Sequence, residues 1–520
     1  MKKPTWIDIL VLSLLVLIFI GNFYKNLKVN ITVTSILGLS GFLLALSSFN
    51  FTYSLDLCVA IVILLTVLKQ LEIKNIRDQR IVLLFTIFLN FISIFYFTTL
   101  FATIYHFFIL ILILFVLAKI ELDILLNQYK PILRAVIFAF PLTLFIFFVF
   151  PRVKVNLWNL STGDRGRTGF SDNFRIDDIK NLALSDETAF RATFEGDVPP
   201  KQELYWRGIV FKNFDGTYWS QGKEPEKKII SIDGEREYSY KISLEPHDSK
   251  WLFALDLPSK WDEKWIFEDY TIKSKTKVHS NLIYSVKSIA YPNKIVEQIN
   301  HKELTNIPDS FNPKTLDFAK KTKLKNYSAQ QILDYYISFF KNGGFAYSLE
   351  TQTLGRNSID DFLFRTKIGY CEHFASSLAF LLRATNVPAR IVGGYLGGEL
   401  NKFGNYYIIS QSDAHVWVEV WLDNKWVRVD PTAVVSPIRL NQGQRATFDS
   451  KEPYLKSNLL LSNLYLLWEQ IYLRLDSLNF KWSLWVDSYS LQTQIDILKA
   501  FGVNLQSKLN RIILYLIIIV

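Results

Sequence analysis

The first 150 residues alternate long apolar runs with short polar turns, and that pattern disappears after residue 151. Apolar stretches cover 6–23, 29–49, 51–68, 81–97, 99–118 and 132–150. Each has about the length a helix needs to cross a ~30 Å hydrocarbon core, so 1–151 is expected to form a six-span membrane domain. The first run lacks a small-residue cleavage site and further spans follow at once, which argues for an anchor rather than a signal peptide. From 186 to 300 the texture is β-rich, with runs at 188–194, 205–211, 238–244 and 282–288 punctuated by Asp215-Gly216 and Asp233-Gly234. This predicts a β-rich domain at 152–305. Helical periodicity takes over at 313–341, where Ser328 heads the run 329–340, and a helix-then-strand region completes a core at 306–445. Residues 446–510 read as an amphipathic, Trp-bearing helical linker, packed on the soluble part or lying on a membrane surface. The apolar tail 511–520 reads as the start of a C-terminal span. The fold class expected is α+β: a polytopic α-helical membrane domain followed by a β-rich domain and a mixed core.

Composition sharpens this division. Half of the residues are apolar and only two are cysteine, which excludes a disordered chain and a disulfide-stapled scaffold. The net charge of +10 is spread without a basic run, so nucleic acid is not expected as a partner. Between the apolar runs, Lys25, Lys28, Lys69, Lys74, Arg77, Arg80, Lys119, Lys130 and Arg134 fall on one side of the membrane, against Lys2 and Lys3 on the other. The positive-inside bias then puts everything after Pro151 on the non-cytoplasmic side. Asp8 and Asp56 lie within spans, where a carboxyl group is costly. Asp56 is expected to bond a neighbouring helix, and the few internal charges favour an anchor over a pump.

Candidate chemistry concentrates after residue 360. Gly369-Tyr370-Cys371-Glu372-His373 reads as a turn into a helix with Cys371 at its first residues. The helix dipole and free N–H groups there favour thiolate, the nucleophilic form. Cys58 lies in an expected span, so Cys371 has no intrachain disulfide partner. Downstream, 413–421 and 426–432 alternate as paired strands around the turn 422–425. A two- or four-residue loop sets His415 opposite Thr432 with Asp430 as its diagonal neighbour, ~7–8 Å apart between backbones and within side-chain reach. A three-residue loop would send the two to opposite faces. Cys371, His415 and Asp430 are the parts of a thiol acyltransferase or hydrolase: nucleophile, proton carrier and orienting carboxylate. A metal site built from Cys371, His373, His415 and Asp430 is the weaker alternative, because no zinc-like spacing accompanies it. His373 points to another side of the helix and is expected to be a packing or substrate-side residue rather than the base. Trp417 shares a strand face with His415, where it either screens the site or fills the core. No metal or organic cofactor is expected, and the N–H of Cys371 is the expected oxyanion donor.

At these residues the chain resembles the bacterial membrane-anchored transglutaminase-like family, the TgpA type of protein-glutamine gamma-glutamyltransferase. The matching segments are Tyr205-Trp206-Arg207-Gly208 with Phe214-Asp215-Gly216 and Trp219; Phe345-Ala346-Tyr347; Asp361-Phe362-Leu363-Phe364; Gly369 to His373; Val387-Pro388-Ala389-Arg390; Gly393-Gly394-Tyr395; Gln411 to His415; and Arg428-Val429-Asp430-Pro431-Thr432. The resemblance implies a papain-like transglutaminase core with Cys371 as nucleophile, His415 as general acid and base, and Asp430 orienting it. It also implies a multi-pass protein of the bacterial inner membrane with a periplasmic catalytic domain. Its reaction transfers the acyl group of a protein or peptide glutamine to an amine or to water. The chain departs from the family at Glu350-Thr351-Gln352-Thr353, where members often carry prolines, and in lacking the family's cytosolic tail. A thiol protease or amide hydrolase with the same triad, and a non-catalytic envelope scaffold, are the competing readings.

Overall fold

The computed structural model describes residues 31–49, 51, 55–94, 99–122, 134, 137–138, 173–176, 182–222, 232–262, 265–295, 299–436 and 459–488. The expected spans at 6–23 and 511–520, and nearly all of 132–150, lie outside these residues, as does Asp8. The chain divides into two compact units, Met1–Gly166 with Leu475–Val520, and Arg167–Arg474.

In the first unit the second to fifth expected spans appear as helices α1 (Ile31–Ser48), α2 (Leu55–Leu71), α3 (Ile76–Ile94) and α4 (Leu100–Leu122). Helix α3 starts earlier than the apolar run at 81 and takes in Arg77, Asp78 and Arg80. One described segment, Leu100–Ile120, is long and apolar enough to cross a membrane. Its phenylalanines face outward, as do others on α1 and α3: Phe42, Phe88, Phe91, Phe107 and Phe108 are exposed. The polar groups turn inward. Asp56 is buried, and His106 Nδ1 lies 3.0 Å from Asn90 Oδ1, joining α4 to α3. This distribution is the inverse of a water-soluble helical bundle.

Besides three small sheets of two or three short strands, the second unit is built on two large ones. The strands are β1 (Thr188–Phe194), β2 (Tyr205–Phe211), β3 (Ile232–Leu244), β4 (Ala254–Leu255), β5 (Leu257–Lys260), β6 (Leu282–Ile295), β7 (Ala389–Leu396), β8 (Glu399–Asn401), β9 (Tyr406–Ser410), β10 (Ala414–Leu422) and β11 (Lys425–Val429). One sheet runs β8-β9-β1-β3-β6-β5 and the other β11-β10-β7-β2-β4. Both sheets therefore mix strands from either side of residue 305, and the boundary expected there is one of sequence texture, not of packing. Asp233-Gly234, expected to be a turn, lies inside β3, where Gly234 pairs with Pro292. The partner strand, far along the chain, overrides the local turn signal.

The helices that carry the site begin with strong local signals. Helix α5 is Pro313–Lys323, and α6 is Ala329–Asn342, started by a capping box: the Gln331 N–H donates to Ser328 Oγ and the Ser328 N–H to Gln331 Oε1. Helix α7 (Cys371–Ala384) is buried from Cys371 to Arg383, packed against β7 and β10 and against α5, α6 and α8 (Pro431–Val435). It stops in a Schellman turn, with Asn386 left-handed at φ 66° and the Val387 N–H donating to the Leu382 carbonyl at 2.9 Å. The stretch expected to be an amphipathic linker forms helix α9 (Leu459–Ser488).

The β10–β11 hairpin closes through Asp423 and Asn424, both with positive φ, as a two-residue turn of this hand requires. Leu422 pairs with Lys425 and Val418 with Val429, the register read from the alternation. The ladder ends there, so His415 and Thr432 do not pair as expected. Pro431 has no N–H to donate and opens α8 instead, with Asp430 as its cap.

A buried charge cluster ties β2, β7 and β10 together. Glu419 accepts from Arg207 and, at 2.7 Å, from Arg390 Nε; Arg390 also stacks on Trp426 at 3.9 Å. Burial opposes charge on Glu419, but the two guanidinium groups outweigh it and hold the carboxyl below the usual Glu range. Its stabilisation is fully present above the ordinary Glu pKa of about 4.3 and is lost as pH falls through the lower folded value. Glu419→Gln strands two buried cations and is expected to cost about 3–5 kcal/mol in denaturant unfolding near neutral pH, with the difference from wild type shrinking progressively as pH falls below about 4.3.

Candidate active site

Three elements deliver the site: the start of α7, the first turn of β10 and the cap of α8. His415 is fully buried on β10, and its Nε2 lies 2.7 Å from Asp430 Oδ2. An ionised carboxylate only accepts, so Nε2 carries a proton, and in the neutral imidazole Nδ1 is then the nitrogen with the lone pair. Among the described residues Nδ1 has no hydrogen-bond partner. The position opposite His415 on β7 is Gly394, where an added Cβ would fall 1.9 Å from the Trp206 carbonyl oxygen. Only glycine admits this approach of the two strands. Trp417 stacks beside the imidazole, centroids 6.3 Å apart at 29°.

Asp430 is held from several sides. Its Oδ1 accepts from the Thr432 N–H at 3.0 Å, and its Oδ2 accepts from the Tyr205 hydroxyl at 2.9 Å as well as from His415. Burial works against its charge, yet His415 and these hydrogen bonds prevail and keep the carboxyl below the usual Asp range.

Cys371 occupies the first residue of α7, as expected. The backbone N–H of Val416, the residue after His415, hydrogen-bonds its sulfur, and the Asp430 charge is close enough to act on it. The expectation of a resting thiolate is corrected. The thiol is completely buried, and burial, followed by the Glu372 carboxylate, pushes it well above the ordinary cysteine range, which the N–H groups of Val416 and Glu372 offset only in part. The direction of this shift makes the resting sulfur a thiol, closed off from solvent.

His373 packs, as expected: its Nδ1 accepts from the Tyr370 N–H at 3.2 Å and its ring lies 5.4 Å from Phe362. Among the described residues no group of three or more His, Cys, Asp or Glu side chains is arranged to hold a metal ion. Tyr205 was not singled out as a site residue by sequence reasoning. It heads an apolar strand 166 residues before Cys371, with no local motif to connect it to Asp430.

Residues 315–431, which hold Cys371, His415 and Asp430, match the transglutaminase-like superfamily. Residues 3–292 match the TgpA N-terminal domain family. The chain is 32% identical over 454 residues to the protein-glutamine gamma-glutamyltransferase of Pseudomonas aeruginosa, covering 85% of this chain and 68% of that protein. Its structure is similar to the crystal structure of the periplasmic domain of TgpA from Pseudomonas aeruginosa, with 34% identity, a TM-score of 0.51, and coverage of 54% of this chain and 99% of that one. The ethylmercury-bound form of that domain gives 35% identity, a TM-score of 0.50, and coverage of 53% and 100%. The chain belongs to the TgpA family of protein-glutamine gamma-glutamyltransferases and is a transglutaminase-type enzyme.

Because burial raises the thiol, alkylation of Cys371, followed on its own peptide by mass spectrometry, is expected to accelerate from about pH 7 to 9 with no plateau near neutrality. A plateau below pH 7 would instead mean a resting ion pair with His415.

Proposed function

We propose that Cys371, His415 and Asp430 form the triad of a membrane-anchored acyltransferase that acts on the γ-carboxamide of protein or peptide glutamine. One observation carries this reading above the rest: His415 is bonded through Nε2 to a charged Asp430 while its other nitrogen has no partner among the described residues, one residue from the N–H that holds the Cys371 sulfur. The name of the Pseudomonas aeruginosa relative supports glutamine as the acyl donor.

Cys371 Sγ attacks the carboxamide carbon as its proton passes to His415 Nδ1. The tetrahedral intermediate collapses, the C–N bond breaks, the imidazolium returns the proton to nitrogen, and ammonia leaves a γ-acyl thioester on Cys371. A primary amine then attacks the thioester, His415 takes the amine proton and restores it to sulfur, and an isopeptide or substituted amide departs. Asp430 remains charged throughout and stabilises the imidazolium. The N–H of Cys371 at the helix start suits the oxyanion. A buried sulfur that excludes water favours transfer over hydrolysis.

The anchor in this reading is the amino-terminal helical unit, with six spans. Its outward-facing phenylalanines and the Leu100–Ile120 helix support a membrane location, and the alternation of Lys and Arg with uncharged turns supports a periplasmic catalytic unit.

In the purified full-length chain, Cys371→Ala is expected to abolish incorporation of a labelled primary amine into a glutamine-containing protein with no change in thermal unfolding. Asp430→Asn is expected to lower kcat roughly 10³- to 10⁴-fold. Unchanged incorporation in Cys371→Ala removes the sulfur from the mechanism, and peptide-bond cleavage without amine incorporation turns the reading to a thiol protease.

A further inference from the structure

We propose that Tyr205 is a positioning residue of this site, supplied by the segment that precedes the core, and that it holds the Asp430 carboxylate in the charged, aimed state on which His415 depends. The proposal rests on the triad reading above.

The hydroxyl of Tyr205 donates to Asp430 Oδ2, the oxygen that also receives His415 Nε2–H, so one carboxylate oxygen is fixed from two directions. The phenol is itself clamped. Its ring stands edge-on to Trp417 at 5.2 Å and lies 6.2 Å from the imidazole. The Arg428 guanidinium lies over the ring at 4.0 Å, and that arginine is anchored by Asp256 Oδ1 at 2.9 Å. The Asp256 N–H in turn donates to the Tyr205 carbonyl at 2.9 Å. Ring and backbone of Tyr205 are thus both fixed by one ion pair that bridges the β4–β5 turn to β11.

This is more than tight packing. A buried carboxylate stays ionised only when donors replace the water it has lost, and a donor removed from the charged form raises the pKa. The ionisable groups around Asp430 are His415 from β10, Cys371 from α7, Tyr205 from β2 and, beyond the phenol, Arg428 from its own strand. Without the hydroxyl, Asp430 Oδ2 keeps the His415 donor but loses the phenol, and the imidazole is held by a carboxylate that is less charged and freer to rotate. The hydroxyl of Tyr205 is bonded to Asp430 Oδ2, so the effect proposed for it runs through that carboxylate.

Tyr205→Phe keeps the ring between Trp417 and Arg428 and removes only the hydroxyl. In the full-length protein it is expected to lower kcat about tenfold with KM within about twofold, and to move the acidic limb of kcat/KM to higher pH. Alkylation of Cys371 at pH 8 should slow in parallel, and the variant should unfold at nearly the wild-type temperature. A Phe variant whose kcat, pH profile and alkylation rate overlay wild type overturns the proposal, whether or not its unfolding temperature drops. Should the wild type itself fail to incorporate amine, the acyltransferase reading fails by its own measure. The alkylation rates still decide the question of Tyr205, since an unchanged rate refutes positioning and a slowed one sustains it.

Discussion

One carboxylate must stay charged where water does not reach it, and the core is arranged around that demand. Asp430 meets it with three donors: an imidazole N–H from β10, a phenol from β2 and the first free N–H of α8. No two of these come from the same element. The hairpin register brings Asp430 under His415, the helix that begins at Pro431 supplies the backbone donor, and the neighbouring strands supply the phenol. An error in any one of them leaves a buried charge short of a partner, which is among the more destabilising events a protein interior can suffer. Specificity of fold and competence of the site therefore rest on the same contacts.

Much of this was legible in the sequence where the signal is local. Strict alternation and a two-residue turn set the β10–β11 register, and with it the meeting of His415 and Asp430. The strands Thr188–Phe194 and Tyr205–Phe211 coincide with their apolar runs, Ser328 starts α6, and Cys371 opens α7. What escaped depends on partners far along the chain. Asp233-Gly234 looks like a turn until β6 pairs with it, and Tyr205 looks like an apolar strand residue until β11 brings Asp430 to it. The protonated state of Cys371 escaped for a different reason: a helix start is visible in sequence, whereas the depth at which it is buried is a property of the whole packing.

The closed state of Cys371 gives the site a division of labour. Helix α7 contributes geometry, since its first residue sits at the N–H of Val416, but the energy that ionises the sulfur has to come from the imidazole and from the arriving substrate. A sulfur that is neutral and covered at rest is a poor target for oxidants and stray electrophiles.

The pairing of β2 with β7 joins residues some 180 positions apart in a single ladder, and β7 in turn aligns the strand that bears His415. Such a ladder cannot close while the chain is still being made up to residue 389; until then β2 presents an open edge of the kind that seeks any available strand. Biogenesis thus passes through a vulnerable interval that ends only when β7 arrives, some 180 residues after β2. The strand that bears His415 is aligned only after that ladder has closed.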